Sequence, residues 1–458
     1  MADIHDIPPE ILAASFELGI NTWGIGFLSR LCEVCKNWNE IINSSPRLWG
    51  IISIQSSRSS VSVLEMQIMK AKSAPLSVSI SPRLPRHEIE EHWSLLSEEV
   101  DHWAVASIST QFATTIRSSW ADLIRQNLEV LTLTQCGGDA DTFLAEVEDN
   151  HKHPPKLRSF TANRLSRSWT LPFLSPSIRY FCLRRGDPIN RFHNIVDTWE
   201  YLYRIPGVVT VDLHDLLHCD PNEQLSSRAI QLPKLETIRL TNVLYPSSIL
   251  CAISAPCVRT LVVDRTRWYK NYLPKWELGN VNEAALPLLP FFWQWSQAGF
   301  IPTHLHTLRL VDCLERGDIP SLIRWLAHLP NLVRLLLKDE EISLAAARKT
   351  VDGEECNLFK ALALPRSSED GSYSWLCPSL TVLQIESGEQ DIEALIPIAQ
   401  ARGGIAPTFP PDVNPPRRLR VIEAFLHESE TQENVEMLES LVDEVHWTSG
   451  RRSRTDFL

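Results

Sequence analysis

The residues of this 458-residue chain best suited to chemistry are short clusters of histidine, cysteine and carboxylate. His214-Asp215-Leu216-Leu217-His218, followed by Cys219 and Asp220, comes nearest to a metal motif. A zinc-peptidase helix needs two histidines one turn apart on one face, with a glutamate between them as base. Here the acid is the shorter Asp215, and His214 closes an apolar Val208-x-x-Val211-x-Leu213 phrase that reads as a strand. Cys32-x-x-Cys35 lacks a second pair or a histidine at ligand spacing, and Cys35 falls on the apolar stripe of a helix. His151-Lys152-His153 lies in a polar, proline-bounded turn, and Gly137-Gly138 is too short to cradle a phosphate. No Walker-type loop, no Gly-x-Ser-x-Gly elbow and no Gly-x-Gly-x-x-Gly turn occurs. No metal, no cofactor and no catalytic set is therefore expected, and the chain reads as a binder, not an enzyme.

Binding side chains need elements to hold them. The phrase apolar-x-x-apolar-x-apolar starts at Leu128, Leu157, Ile178, Val208, Leu235, Val258, Leu305, Leu332, Leu380 and Leu419. In a strand, side chains alternate, so positions five and seven of each phrase should point away from the core. That places Arg184, Arg239, Arg309 and Lys338 outward, against Asp212 and Asp264, together with Cys182, Val311 and Leu336. Arginine pairs bidentately with carboxylate and phosphate, so this face is a candidate for an acidic or phosphorylated segment of a target. A second candidate is the aromatic-dense stretch 267–300, which includes Trp268 and Trp276. Aromatics of this kind form interface hot spots, or equally a local core under a long loop.

Most of the phrases follow one another at 21 to 30 residues, with wider gaps after Val258, Leu332 and Leu380. Leucine-rich repeats have this period and this strand signature, each strand-turn-helix unit closing its apolar face on the next. The gaps near 48 residues read either as one period with an insertion or as two periods with a degraded strand. Between the phrases, 318–329, 139–148 and 391–400 carry helical spacing. A linker helix is expected over 61–72, a first strand over 74–80, and a terminal helix over 430–447 with a Glu-rich outer face. A helix is also expected near 354–362, followed by a polar loop at 366–374. A single unrepeated α/β domain is the alternative reading of the same pattern.

The N-terminal segment differs in kind. In Ile7-Pro8-Pro9-Glu10-Ile11-Leu12 the residue before each proline is pushed out of the helical region, so a helix starts at Pro9 with Glu10 at its positive end. It should end near Leu18, at Gly19. Leu28, Leu31, Cys35, Trp38 and Ile42 then recur at steps of three and four, which predicts one continuous helix. These helices are too few to bury their own apolar surface, so some of it needs a partner, unless they simply cap the larger fold.

Three pieces, Ile7-Pro8-Pro9-Glu10-Ile11-Leu12, Val34-Cys35-Lys36-Asn37-Trp38 and Pro46-Arg47-Leu48-Trp49, resemble the F-box in the form found in large fungal families. The order of an F-box, a short connection and irregular leucine-rich repeats also resembles those proteins. The chain departs from the pattern in Ile7, where leucine is usual, and in the glycine-rich stretch around Trp23. The resemblance implies a substrate-recognition subunit of a Skp-cullin-F-box ubiquitin ligase. It implies that Pro8, Pro9, Glu10, Ile11, Leu12, Val34, Cys35 and Trp38 face a Skp-type adaptor or support the motif. A cullin would be reached through that adaptor, while the repeats hold a protein substrate whose identity the residues do not reveal. The expected fold class is α/β, a small helical F-box followed by a curved leucine-rich-repeat-like solenoid with a parallel sheet. Expected boundaries are an F-box at 1–55, a linker and first irregular repeat at 56–120, repeats over 121–447 and a tail at 448–458. The other reading is a ligase-independent repeat scaffold for protein–protein interaction.

Bulk properties narrow the classes further. The 44% hydrophobic content is that of a packed protein. A net charge of −12 repels phosphate backbones and anionic lipid, so neither nucleic acid nor membrane is expected as a partner. No secretory signal opens the sequence, and the longest apolar run, 284–295, is cut by Pro287 and Pro290. The ten cysteines are scattered, as for reduced thiols, and a cytoplasmic or nuclear location is expected.

Overall fold

The computed structural model describes residues 7–55, 60–81, 84, 90–109, 127–134, 155–165, 167–184, 195–216, 229–243, 246–264, 302–313, 319–339, 348–349, 355–367, 373–387, 392–404, 415–425 and 431–448. These fall into two compact units, Met1–His193 and Asn194–Leu458.

The first unit opens with α1 (Pro9–Trp23), α2 (Gly26–Cys32), α3 (Lys36–Ser44) and α4 (Pro46–Trp49). Pro8 is extended at the cap position, and its carbonyl accepts from the amides of Ile11 and Leu12, so the helix starts where the prolines require. Its end differs from expectation. The helix passes through Gly19 and stops at Gly24, which takes φ +76° and donates its amide to Ile20. Gly19 is there for packing, since a Cβ at this position would lie 2.0 Å from Phe27 Cε1. The single helix expected over 28–42 is in fact two. Cys35 is extended, at φ −161° and ψ 165°, in the break between α2 and α3, and so is not a mid-helix core position. The apolar spacing persisted because both helices turn Leu28, Leu31, Ile41 and Ile42 into one core. Trp49 closes this core by donating Nε1–H to the Ile42 carbonyl at 2.9 Å.

Six parallel strands follow in chain order: β1 (Ile51–Ile54), β2 (Leu76–Ile80), β3 (Trp103–Ser109), β4 (Val130–Thr134), β5 (Ser159–Asn163) and β6 (Tyr180–Arg184). The expected linker helix is α5 (Val61–Ala71); α6 (Glu90–Glu98) and the short α7 (Arg167–Thr170) complete the described helices of this unit. The strand at Leu76 is therefore second, not first. Ile51–Ile54 precedes it, pairing Ile52 with Val78 and Ile54 with Ile80.

The second unit contributes eight parallel strands: β7 (Thr210–His214), β8 (Thr237–Thr241), β9 (Thr260–Asp264), β10 (Thr307–Val311), β11 (Arg334–Asp339), β12 (Val382–Ser387), β13 (Val421–Phe425) and β14 (Glu444–Thr448). Its helices are α8 (Ile195–Arg204), α9 (Pro246–Cys251), α10 (Ile319–Leu326), α11 (Leu358–Ala363), α12 (Ile392–Arg402) and α13 (Gln432–Leu441). Positions one, four and six of the phrase form the core, as Leu305, Leu308 and Leu310 show by their complete burial. The long gaps are insertions, since β9 pairs directly with β10 and β11 with β12, leaving no place for a degraded strand between them. In the second gap the described part of the insertion includes α11 and two short antiparallel pairs, Arg348–Lys349 with Glu355–Cys356 and Arg366–Ser367 with Tyr373–Ser374. The stretch expected to be a loop at 366–374 thus has paired ends.

The expected terminal helix is also shorter. It ends at Leu441, whose carbonyl accepts from Arg418 Nε and Nη2, and Glu444–Thr448 extends the sheet against β13. Val445 therefore belongs to a strand. Four turns leaving strands use a left-handed residue at position eight: Asp215, Asn242 and Asp312 here, and Arg164 in the first unit. Asparagine and aspartate tolerate that conformation best. Their amides donate to the end of the next strand, as from Asn242 to Asp264 at 2.7 Å, and Asn242 Nδ2 also reaches Asp215 Oδ1 at 2.9 Å. Arg402, in the last turn of α12, is 3% exposed and donates to the carbonyls of Leu362, Leu376, Cys377 and Leu380. It closes the turn before β12 in which Cys377 takes φ +47°.

Candidate functional site

The motif residues of the N-terminal helices divide into two groups. Leu12 is buried, and Trp38 is half-buried with its ring 5.0 Å from that of Phe16, so these two hold the helices together. Cys35 is half-buried at the α2–α3 break. Pro8, Pro9 and Glu10 face outward, and Ile11 and Val34 are each 58% exposed. Sequence reasoning missed two further outward residues, Leu18 at 70% and Trp23 at 68%, because it ended the helix at Gly19. With α1 continuous to Trp23, Ile11, Ser15, Leu18 and Thr22 recur at steps of four, three and four on one stripe. The polar members of that stripe turn their hydroxyls back to the helix. Ser15 Oγ donates to the Ile11 carbonyl and Thr22 Oγ1 to the Leu18 carbonyl, both at 2.9 Å. Along this one stripe α1 offers an apolar surface whose hydroxyls are already satisfied in hydrogen bonding. Trp23 stands beyond the stripe, its ring tilted at 52° to that of Phe27 with centroids 4.8 Å apart.

The charged residues singled out on the strands separate as well. Arg184 is exposed on β6 of the first unit, while Arg239, Arg309 and Lys338 belong to the second. Parallel register aligns position five of successive strands as Asp212, Arg239, Val262, Arg309, Leu336, Gln384 and Glu423. Arg239 and Arg309 are exposed on this row, one on each side of Val262. Lys338 lies in the neighbouring row and is half-buried. Two residues earlier, Thr210, Thr237, Thr260 and Thr307 form a parallel row of half-buried threonines. Not every position-five or position-seven side chain is exposed, contrary to expectation. Cys182, Asp212, Val311 and Leu336 are buried. Alternation fixes which face a side chain takes, whereas the long neighbours in its row decide how much water reaches it.

The carboxylates of this face lie beside cationic or titratable partners. Asp212 Oδ1 is 2.7 Å from His214 Nε2, Asp264 Oδ2 is 3.8 Å from Arg309 Nη2, and Glu423 Oε1 is 3.3 Å from Arg334 Nη2. Arg239 has no ion-pair partner among the described residues. His214 stands at the end of a strand, as its phrase predicts, and Trp268, Trp276, His218, Cys219 and Asp220 lie outside the described residues. Among the described residues no helix is long and apolar enough to cross a membrane.

No family model matches the chain, and no curated protein does. Among solved structures it is similar to a chain in the crystal structure of the Rad7 and Elc1 complex in yeast, at 11% identity and a TM-score of 0.38, covering 97% of this chain and 92% of that one. A likeness at that level carries neither partner nor function to this chain.

Proposed function

We propose that the chain is the substrate-recognition subunit of a Skp-cullin-F-box ubiquitin ligase, docking a Skp-type adaptor on its N-terminal helices and a target protein on its strands. It would do no chemistry itself, and it would work in the cytoplasm or nucleus. The observation that supports this reading is the division of the motif. Leu12 and Trp38 build the helical core, while Ile11 and Val34 are left in water beside Pro8 and Pro9. Fully burying an exposed aliphatic side chain is worth about 1.5–3 kcal/mol, and each of these is 58% exposed, so a partner that covers both gains about 2–3 kcal/mol, a part of the ~8 kcal/mol of a micromolar complex.

The test is capture of a purified Skp-type adaptor by the full chain. Ile11→Asp and Val34→Asp should each abolish it and leave the thermal midpoint unchanged, because both side chains already meet solvent. Trp38→Ala is the poorer probe, since it also removes the packing on Phe16. Undiminished capture by the double aspartate variant would move the adaptor contact away from Ile11 and Val34, and failure of the unaltered chain to capture the adaptor would leave the ligase-independent scaffold as the better reading.

A further inference from the structure

The threonine row and the arginine row of β8, β9 and β10 form a surface with a definite spacing. Neighbouring parallel strands lie about 4.8 Å apart, so Arg239 and Arg309, two strands apart in one row, are separated by about 10 Å at their α-carbons. Val262 between them is short and half-buried, leaving a shallow apolar floor. Arg309 reaches back to Asp264 of β9, so its guanidinium lies on the side of the row that faces Arg239. Asp212 is engaged with His214 and Glu423 with Arg334, which leaves the guanidinium of Arg239 as the unmatched charge of the row. The chain as a whole carries −12, so an exposed cationic row runs against its overall field. The hydroxyls of Thr237, Thr260 and Thr307 stand two residues away on the same face and can donate or accept.

We propose that this row binds an extended acidic segment of a protein, running across the strands, with two carboxylates three residues apart seated on Arg239 and Arg309. A polyproline-II segment advances about 3.1 Å per residue with three residues per turn, so its residues i and i+3 project to one side about 9 Å apart. That matches the separation of the two arginines. A fully extended β-segment gives about 7 Å for its same-side neighbours and fits less well. Arginine meets each carboxylate with paired, charge-assisted hydrogen bonds. The residues between the two acids lie over Val262. This rests on the proposed role as a target receptor and names the chemistry of the target.

The experiment measures binding of fluorescent peptides to the full chain by anisotropy. The probes share one composition, Glu-x-x-Glu in a proline-rich frame against Glu-Glu with the same remaining residues. The spaced peptide should bind several-fold tighter, and Arg239→Glu with Arg309→Glu should weaken it about tenfold or more. Arg324→Glu, an equal change per site on the helical side, should cost less than about twofold. Equal losses in the two variants, or no preference for the spaced acids, would overturn the proposal. So would a phosphoserine peptide or a single-stranded oligonucleotide binding where the carboxylate peptide does not. Sedimentation of the chain alone supplies a further check, because a dimer abolished by the double reversal would assign the row to a second copy instead. Adaptor capture is measured on the same preparations. Loss of adaptor binding in Ile11→Asp with peptide binding intact, or the reverse, keeps a failure of the ligase role apart from a failure of the acidic-segment assignment.

Discussion

Cys377 and Arg402 show how much of a fold can depend on side chains that carry no motif. Burial pushes the Cys377 thiol up to about 12, against a lowering influence of Arg402, and pushes Cys251 up to about 11. Burial also brings the Arg402 guanidinium down to about 10, with Cys377 acting in the opposite sense. A thiol whose pKa is raised on folding stays protonated in the native state while the unfolded chain loses its proton. Its contribution is complete below pH 9 and is lost as pH rises towards the folded value. Arg402 has the opposite sign, because its unfolded state holds the proton longer, but that effect begins only near pH 10. Between pH 9 and 10 the Cys377 and Cys251 thiols should each cost the fold about 1 kcal/mol, offset in part by Arg402 as the pH reaches its folded value. Denaturant titrations of the wild type and of Cys377→Ala at the two pH values measure the difference. The variant should lose about 1 kcal/mol less, and parallel losses would show that the thiol ionises freely in the fold. Neither residue was legible beforehand. Nothing in the sequence separates Arg402 from any cation that favours the last turn of a helix.

Periodicity served well wherever one apolar set belonged to one element. All ten apolar phrases are parallel strands, and the insertions after Val258 and Leu332 stand outside the strand order. It failed where one set spans two elements. Leu28 to Ile42 keep a helical step across the break at Cys35, and Val442 and Val445 continue the stripe of α13 into β14. β3 escaped notice because alanine and serine carry much of its alternation. Gly19 misled for a different reason, since a glycine inside a helix reads as a stop unless its neighbour is known. The structure makes that role measurable. Gly19→Ala gains about 1 kcal/mol of helix propensity but forces the Phe27 ring away from a contact that cannot exist at 2.0 Å. Overpacking of this kind costs about 1–3 kcal/mol, so the net effect should be a loss of about 1 kcal/mol. Gly19→Ala combined with Phe27→Ala should recover the propensity gain relative to Phe27→Ala alone. A cycle with no coupling between the two positions would show that α2 is not seated against Gly19.

At the scale of the whole chain the two candidate surfaces differ in physics. The sequence located both, through the Pro-Pro-Glu-Ile-Leu segment and through positions five and seven of the phrases, but it could not tell which side chains are left exposed. The stripe of α1 is apolar, with its hydroxyls bonded to its own helix, whereas the row on β8 and β10 presents guanidinium groups. Salt distinguishes them. The screening length is about 10 Å at 0.1 M and about 3 Å at 1 M, so exposed charge pairs weaken steeply over that range while apolar burial does not. Affinity for the acidic peptide should therefore fall by about tenfold or more between about 0.05 M and 0.5 M sodium chloride. Capture of the adaptor should hold over the same interval, because the exposed residues on that surface are apolar and salt does not weaken their burial. Isothermal titration at the two salt concentrations reads both. An adaptor affinity that falls as steeply as that of the peptide would mean that charge, not the exposed Ile11, Leu18 and Val34, carries the N-terminal contact, and the aspartate substitutions there would have to be reinterpreted as changes of field.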